Sequence, residues 1–181
     1  MDFFEVISAR RSVRSYQEHA VPRDVLERIV AAGIEAPSGC NMQLRQYVIV
    51  DDPQTMEALR PVSGAMKGTP AAIVLLLEER GTPYGKFYVQ DASAAMENML
   101  LAAVALGYAA CWVEGALRPH EDDVRELLGV PETLRVWALL PVGKPAEQPK
   151  RPQKSRLADV THHNRFGETS ADRTGRKGER V

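Results

Sequence analysis

Seven consecutive apolar residues, Ala71 to Leu77 (AAIVLLL), constrain this chain more than any other stretch. A short apolar run without alternation reads as a β-strand buried on both faces. The segments around it predict the remaining elements. Asp2 to Ala9 reads as a short helix with Asp2 as its N-cap. Pro22 to Ala36 reads as a stronger helix: Pro22 suits the first turn, Val25, Ile29, Ala32 and Ala36 recur at helical spacing, and Pro37 stops it. Gln46 to Asp51 reads as a strand, and Asp52-Pro53 opens a helix through Leu59. Gln90 to Leu106 is rich in Ala, Met and Leu, the pattern of a central helix buried nearly all round, with Gly107 as its stop. Ala109 to Val113 and Leu134 to Val142 read as strands, and Pro119 to Leu128 as a short helix stopped at Gly129. Helices and strands alternate, but the strands are few. The pattern supports a mixed α/β or α+β sandwich and not a doubly wound fold.

Beyond Gly143 the composition changes. Pro145, Pro149 and Pro152 interrupt the chain, and Lys154 to Phe166 lacks periodicity, so 143–166 reads as an extended arm. Residues 167–181 are charged and almost free of apolar side chains, which predicts a disordered tail after a single domain spanning 1–166. Net charge is -1 and aromatics are 6% of residues, which argues against a nucleic-acid or anionic membrane surface as partner. The N-terminus has no basic region followed by an apolar stretch, so the expected location is the cytoplasm. Cys40 and Cys111 form no disulfide framework, and no His/Cys spacing fits a metal site. No Gly-x-Gly-x-x-Gly occurs. Gly81 to Phe87 has three residues between its glycines instead of a phosphate loop's four, and Phe87 stands where a hydroxyl is needed.

Against that background three polar groups stand out. Arg10, Arg11, Ser12 and Arg14 offer guanidinium forks and a hydroxyl for a phosphate, although a solvated turn has the same look. Pro37, Ser38, Gly39, Asn41 and Gln43 offer small and amide groups for a polar ring edge, or simply a turn after Pro37. Glu114-Gly115 follows a strand and could present backbone N–H groups, as could any turn glycine. Lys154 and Arg156 add cations in the arm.

Taken in chain order these segments resemble the flavin-mononucleotide-dependent nitroreductase family over residues 3 to 166. Arg-Arg-Ser-x-Arg is similar to the family's phosphate segment, and Ala36 to Gln43 to its Pro-Ser-x-x-Asn-x-Gln. The helix with Gln90, Asp91, Ala94, Asn98 and Leu101 is similar to its dimer helix, Trp112 to Gly115 to the segment below the flavin ring, and Lys154-Ser155-Arg156 to its C-terminal phosphate contacts. Leu44 and Arg45 depart from the family, which has a proline and an aromatic residue there, and no flavin contact is carried onto Val62-Ser63. The resemblance implies an α+β fold: an α/β/α sandwich with a central mixed, mainly antiparallel sheet and a domain-swapped C-terminal arm. It implies a homodimer with two FMN molecules at the interface. Each would take its phosphate contacts from one chain and Ser38, Asn41 or Gln43 from the other. Hydride would pass from NADH or NADPH through flavin N5, near the backbone of Glu114 and Gly115, to a nitroaromatic or quinone in a ping-pong cycle, with Arg14 near the reduced ring. No catalytic side chain is required, and Cys40 is expected to be structural or incidental. A flavin-binding redox sensor without turnover is the alternative.

Overall fold

The structure is a computed structural model and describes residues 1–147 and 149–168. The elements are α1 (Phe3–Ala9), α2 (Arg23–Ile34), β1 (Arg45–Val50), α3 (Pro53–Leu59), β2 (Ala71–Leu77), α4 (Tyr88–Ala105), β3 (Ala109–Ala110), α5 (Glu121–Leu128), β4 (Arg135–Gly143) and α6 (Leu157–Val160). Local chemistry sets several boundaries. The Asp2 carboxylate accepts the Glu5 N–H while Glu5 accepts the Asp2 N–H, a capping box that starts α1. Asp52 caps α3 through the Thr55 N–H. At the end of α4, Gly107 has a φ of 75°, and the Tyr108 N–H reaches back to the Ala103 carbonyl, which closes the helix with a left-handed residue only glycine adopts at no cost. Pro22 holds the N-cap position of α2 and not its first turn.

The four strands lie in the order β1-β2-β4-β3, and every named pair is antiparallel. One parallel bridge among the described residues, Ser12 with Ala110, extends the sheet beyond β3. β2 is central, and its side chains divide strictly by parity. Ala71, Ile73, Leu75 and Leu77 join Leu26, Ile29, Met96 and Met99 in one core cluster. Ala72, Val74 and Leu76 join Met56, Leu59 and Val124 in a second. The sheet is therefore covered by α2 and α4 on one face and by α3 and α5 on the other, a three-layer arrangement built on the unbroken apolar run.

The pairing along β4 has two irregularities, both near the candidate site. Leu75 pairs with Ala138 but Leu76 pairs with Val136, so Trp137 is an extra residue, a β-bulge. Facing reverses across it: Val136 lies in the second cluster and Ala138 in the first, although both positions are even. The second irregularity corrects the strand expected over Ala109 to Val113. Only Ala109 and Ala110 form a ladder, with Val113 bridging Leu139 further on. That register puts Cys111 opposite Pro141, which has no N–H to donate, and the ladder lapses there.

The chain divides into two compact units, 1–149 and the residues from Lys150 onward. The body does not end at Gly143, where the arm was expected to begin. Gln17 donates to the Lys144 carbonyl and Ala146 to the Ser15 carbonyl, so 144–146 is tied to 15–17 within the first unit. The second unit contains α6, and His162 packs against Phe166 there. The tail expected to be disordered lies, from residue 169 on, outside the described residues. No helix among the described residues is long and apolar enough to cross a membrane.

Tyr16 closes the sheet edge and gives the fold a pH signature. Its hydroxyl donates to the Val13 carbonyl at 2.6 Å. Burial, with a smaller push from Cys111, raises the phenol well above its ordinary value, while Arg14 opposes the shift. The folded state thus favours neutral Tyr16. Its contribution is complete below about pH 10, the unfolded value, and is lost as pH rises beyond it. Tyr16→Phe is expected to lose less stability than the parent between about pH 9 and pH 11 in urea unfolding, and equal losses in the two proteins would contradict this.

Candidate active site

The arginine segment leaves α1 and runs along the free side of β3. Ser12 bridges Ala110, and the Val13 N–H donates to the Ala110 carbonyl at 3.1 Å. Val13 is buried in a small cluster with Tyr16 and Ala109, which turns its neighbours Ser12 and Arg14 outward. Arg10 pairs with Glu97 of α4 at 3.3 Å. Arg11 donates to the backbone carbonyls of Ser8 and Arg10, both at 2.7 Å. Arg14 makes only a 3.5 Å contact with the Ser12 carbonyl. Among the described residues no carboxylate lies within ion-pair distance of Arg11 or Arg14. Two positive charges are left for an outside anion. Burial raises the Cys111 thiol, with Arg14 and Ser12 opposing the shift, and the Ser12–Ala110 bridge sets this segment beside the start of the chain that leads to Glu114.

Pro37 to Gln43 forms an irregular loop. Cys40, Asn41 and Gln43 all have φ near 52°, uncommon for residues with side chains. Tertiary contacts hold this conformation. Ser38 Oγ accepts the Gln43 N–H at 3.1 Å, and the Gly39 N–H donates to a carboxylate oxygen of Asp91 at 2.9 Å. A Cβ on Gly39 would lie 2.7 Å from Phe87 Cδ2 and 2.8 Å from its Cβ, so only glycine lets the loop seat against α4. Asn41 and Gln43 keep exposed side chains. Cys40 is exposed as well. Sequence reasoning missed two residues here. Asp91 is only 6% exposed, and an acid in the first turn of a largely apolar helix was the available signal. Arg45 stood out only as a departure from the family.

Glu114 and Gly115 follow the Val113–Leu139 bridge. The Leu117 N–H closes a turn onto the Glu114 carbonyl, and the Glu114 carboxylate pairs with Arg118 at 3.2 Å. Gly115 is exposed, and a Cβ there would meet nothing within 4 Å. Beside them lies a cavity of about 270 Å³ lined by Tyr88, Glu114, Arg118, Glu121, Arg135 and Trp137 among others. The bulge aims Trp137 at this cavity, edge-on to Tyr88 with ring centroids 6.3 Å apart. Arg135 bridges Glu79 and Glu121 at 2.6 and 2.9 Å, and its fork holds the Glu121 carboxyl below the usual range.

The structure therefore joins two of the expected groups: Arg10 to Arg14 borders the same strand from which Glu114-Gly115 emerges, four residues past Ala110. Extended chain of that length spans about 13 Å. The loop 37–43 is anchored elsewhere. Its anchor Asp91 and the Arg10 partner Glu97 stand about 120° apart around α4 and about 9 Å along it. Lys154 and Arg156 belong to the second unit, exposed, with Arg156 paired to Asp159 at 2.8 Å.

Comparison with known proteins identifies the family. The sequence model of the Nitroreductase family matches residues 7–66 and 63–144. A protein of Methanothermobacter thermautotrophicus with a provisional NADH dehydrogenase/NAD(P)H nitroreductase name is 34% identical over 155 residues, covering 82% of this chain and 80% of its own. A Parabacteroides distasonis crystal structure under the same provisional name superimposes with a TM-score of 0.79 at 27% identity, covering 90% of this chain and 98% of that one. A Desulfovibrio desulfuricans structure, provisionally a nitroreductase and solved in complex with FMN, gives 0.76 at 27% identity over 90% of this chain and 96% of its own. The fold is the α+β sandwich of nitroreductases. The chain belongs to the nitroreductase family.

Proposed function

We propose that this protein is an FMN-dependent NAD(P)H oxidoreductase. When bound, FMN supplies the redox chemistry, accepting hydride at N5 from NADH or NADPH and passing electrons to an acceptor such as a quinone or nitroaromatic. The observation that carries the reading is the Ser12–Ala110 bridge, which sets a cationic segment beside the strand that leads to an open glycine.

The donor set fits the cofactor. Arg10, Arg11 and Arg14 with the Ser12 hydroxyl suit a phosphate. The backbone at Glu114 and Gly115 would face the ring near N5, where the lack of a side chain leaves room for a flat group. Ser38, Asn41 and Gln43 suit the ring's polar edge. Their anchor lies on another side of α4 from that of Arg10, which supports a ring shared between two chains. An exposed apolar face supports the dimer: Phe3, Phe4, Ile7 and Ile34 are open, beside a groove lined by Val6, Leu101 and Ala105. Residues 150–166 of the arm would cross to the partner.

The absorbance of the purified protein tests the reading. Flavin bands that bleach with NADH or NADPH under anaerobic conditions and return on adding a quinone are the expected result. Protein that neither retains nor binds FMN would overturn it. Bleaching without return would favour the sensor.

A further inference from the structure

Arg45 begins β1, and its guanidinium binds no carboxylate among the described residues. It donates instead to three backbone carbonyls: Ala36 at 2.6 Å, Pro37 at 3.1 Å and Asp91 at 2.8 Å. These carbonyls come from the end of the α2 segment, the first residue of the irregular loop, and the first turn of α4. Asp91 completes the arrangement, since its carboxylate takes the Gly39 N–H at 2.9 Å while its carbonyl takes Arg45. One planar fork thus ties both ends of a loop in which three side-chain-bearing residues hold left-handed φ. Such a backbone persists only where its surroundings fix it.

We propose that Arg45 is a positioning residue that presets the 38–43 loop for the flavin ring, a role that rests on the FMN-dependent reading of the site. Lysine could reach one of the three carbonyls but not all of them, because it lacks the rigid fork. The loop's conformation then depends on a guanidinium at the position where the resemblance leads one to expect an aromatic side chain.

The test compares Arg45→Met and Arg45→Lys with Arg23→Met, which removes an exposed bidentate pair with Asp51. Amide hydrogen exchange of the apoprotein is read at Gly39 and Gln43, with the amides of β2 reporting that the fold is intact. FMN affinity and the visible circular dichroism of bound flavin are read in the same proteins. Arg45→Met is expected to speed loop exchange at least tenfold, weaken FMN at least tenfold and shift the dichroism toward that of free FMN. Arg45→Lys should fall between, and Arg23→Met should change none of these. Unchanged loop exchange, or loosened exchange with unaltered FMN affinity and dichroism, overturns the proposal. If the parent protein binds no FMN the functional reading fails and takes the flavin role with it, while apoprotein exchange still decides whether Arg45 braces the loop.

Discussion

Replacing Arg10 and Arg14 together with alanine is expected to strip FMN from the purified protein and leave the fold intact. Charged hydrogen bonds to a phosphate contribute about 1.5–3 kcal/mol each, so losing two weakens binding by roughly 10² to 10⁴. Neither side chain is needed by the body. Arg14 makes one 3.5 Å contact with a carbonyl. Arg10 pairs with Glu97, but that carboxylate is half exposed, and surface pairs of this kind add little stability. What the fold needs from this segment is Val13 and the Val13 N–H, which the substitutions leave in place. Titration of apoprotein with FMN, followed by fluorescence, measures the effect. Affinity within about threefold of the parent, with unchanged far-ultraviolet dichroism, would place the phosphate elsewhere.

The apolar pattern was legible because burial writes itself into composition. Ala71 to Leu77 matches β2 end to end, since a strand covered on both faces has no polar position to blur it. The long helix was found within two residues at its start and one at its end. What escaped depends on residues far apart in the chain. The break at Cys111 needs the register with β4, which alone reveals Pro141 opposite. The bulge at Trp137 likewise exists only in the pairing. Arg45 looked like a loss of the family's aromatic wall because a fork on carbonyls leaves no trace in sequence: its partners are peptide groups, identical for every residue. At the site, chain order singled out Arg10 to Arg14 and Glu114-Gly115, but their adjacency came from the Ser12–Ala110 bridge. For Lys154 and Arg156 the sequence suggested phosphate contacts, and both lie in a separate compact unit.

Gly115→Leu is the second large effect, and it separates a functional glycine from a structural one. Gly39 is structural: a Cβ there would press on Phe87 at 2.7 Å, so substitution should lower stability and displace the loop. Gly115 has no such reason to be glycine. A Cβ would meet nothing within 4 Å, and its φ lies outside the left-handed region. By backbone logic alone a larger residue should be neutral, or stabilise by about 0.4–1 kcal/mol through the unfolded chain. If the flavin ring lies over this position, leucine fills the space the ring requires. Turnover with NADH or NADPH and a quinone is then expected to fall at least 100-fold, a barrier increase of about 2.7 kcal/mol, with FMN affinity falling as well. The unfolding midpoint of the apoprotein should not drop, whereas Gly39→Leu should lower it. Full turnover by Gly115→Leu would move the ring away from this turn, because a site closed by an isobutyl group cannot also hold a flat cofactor against the same backbone.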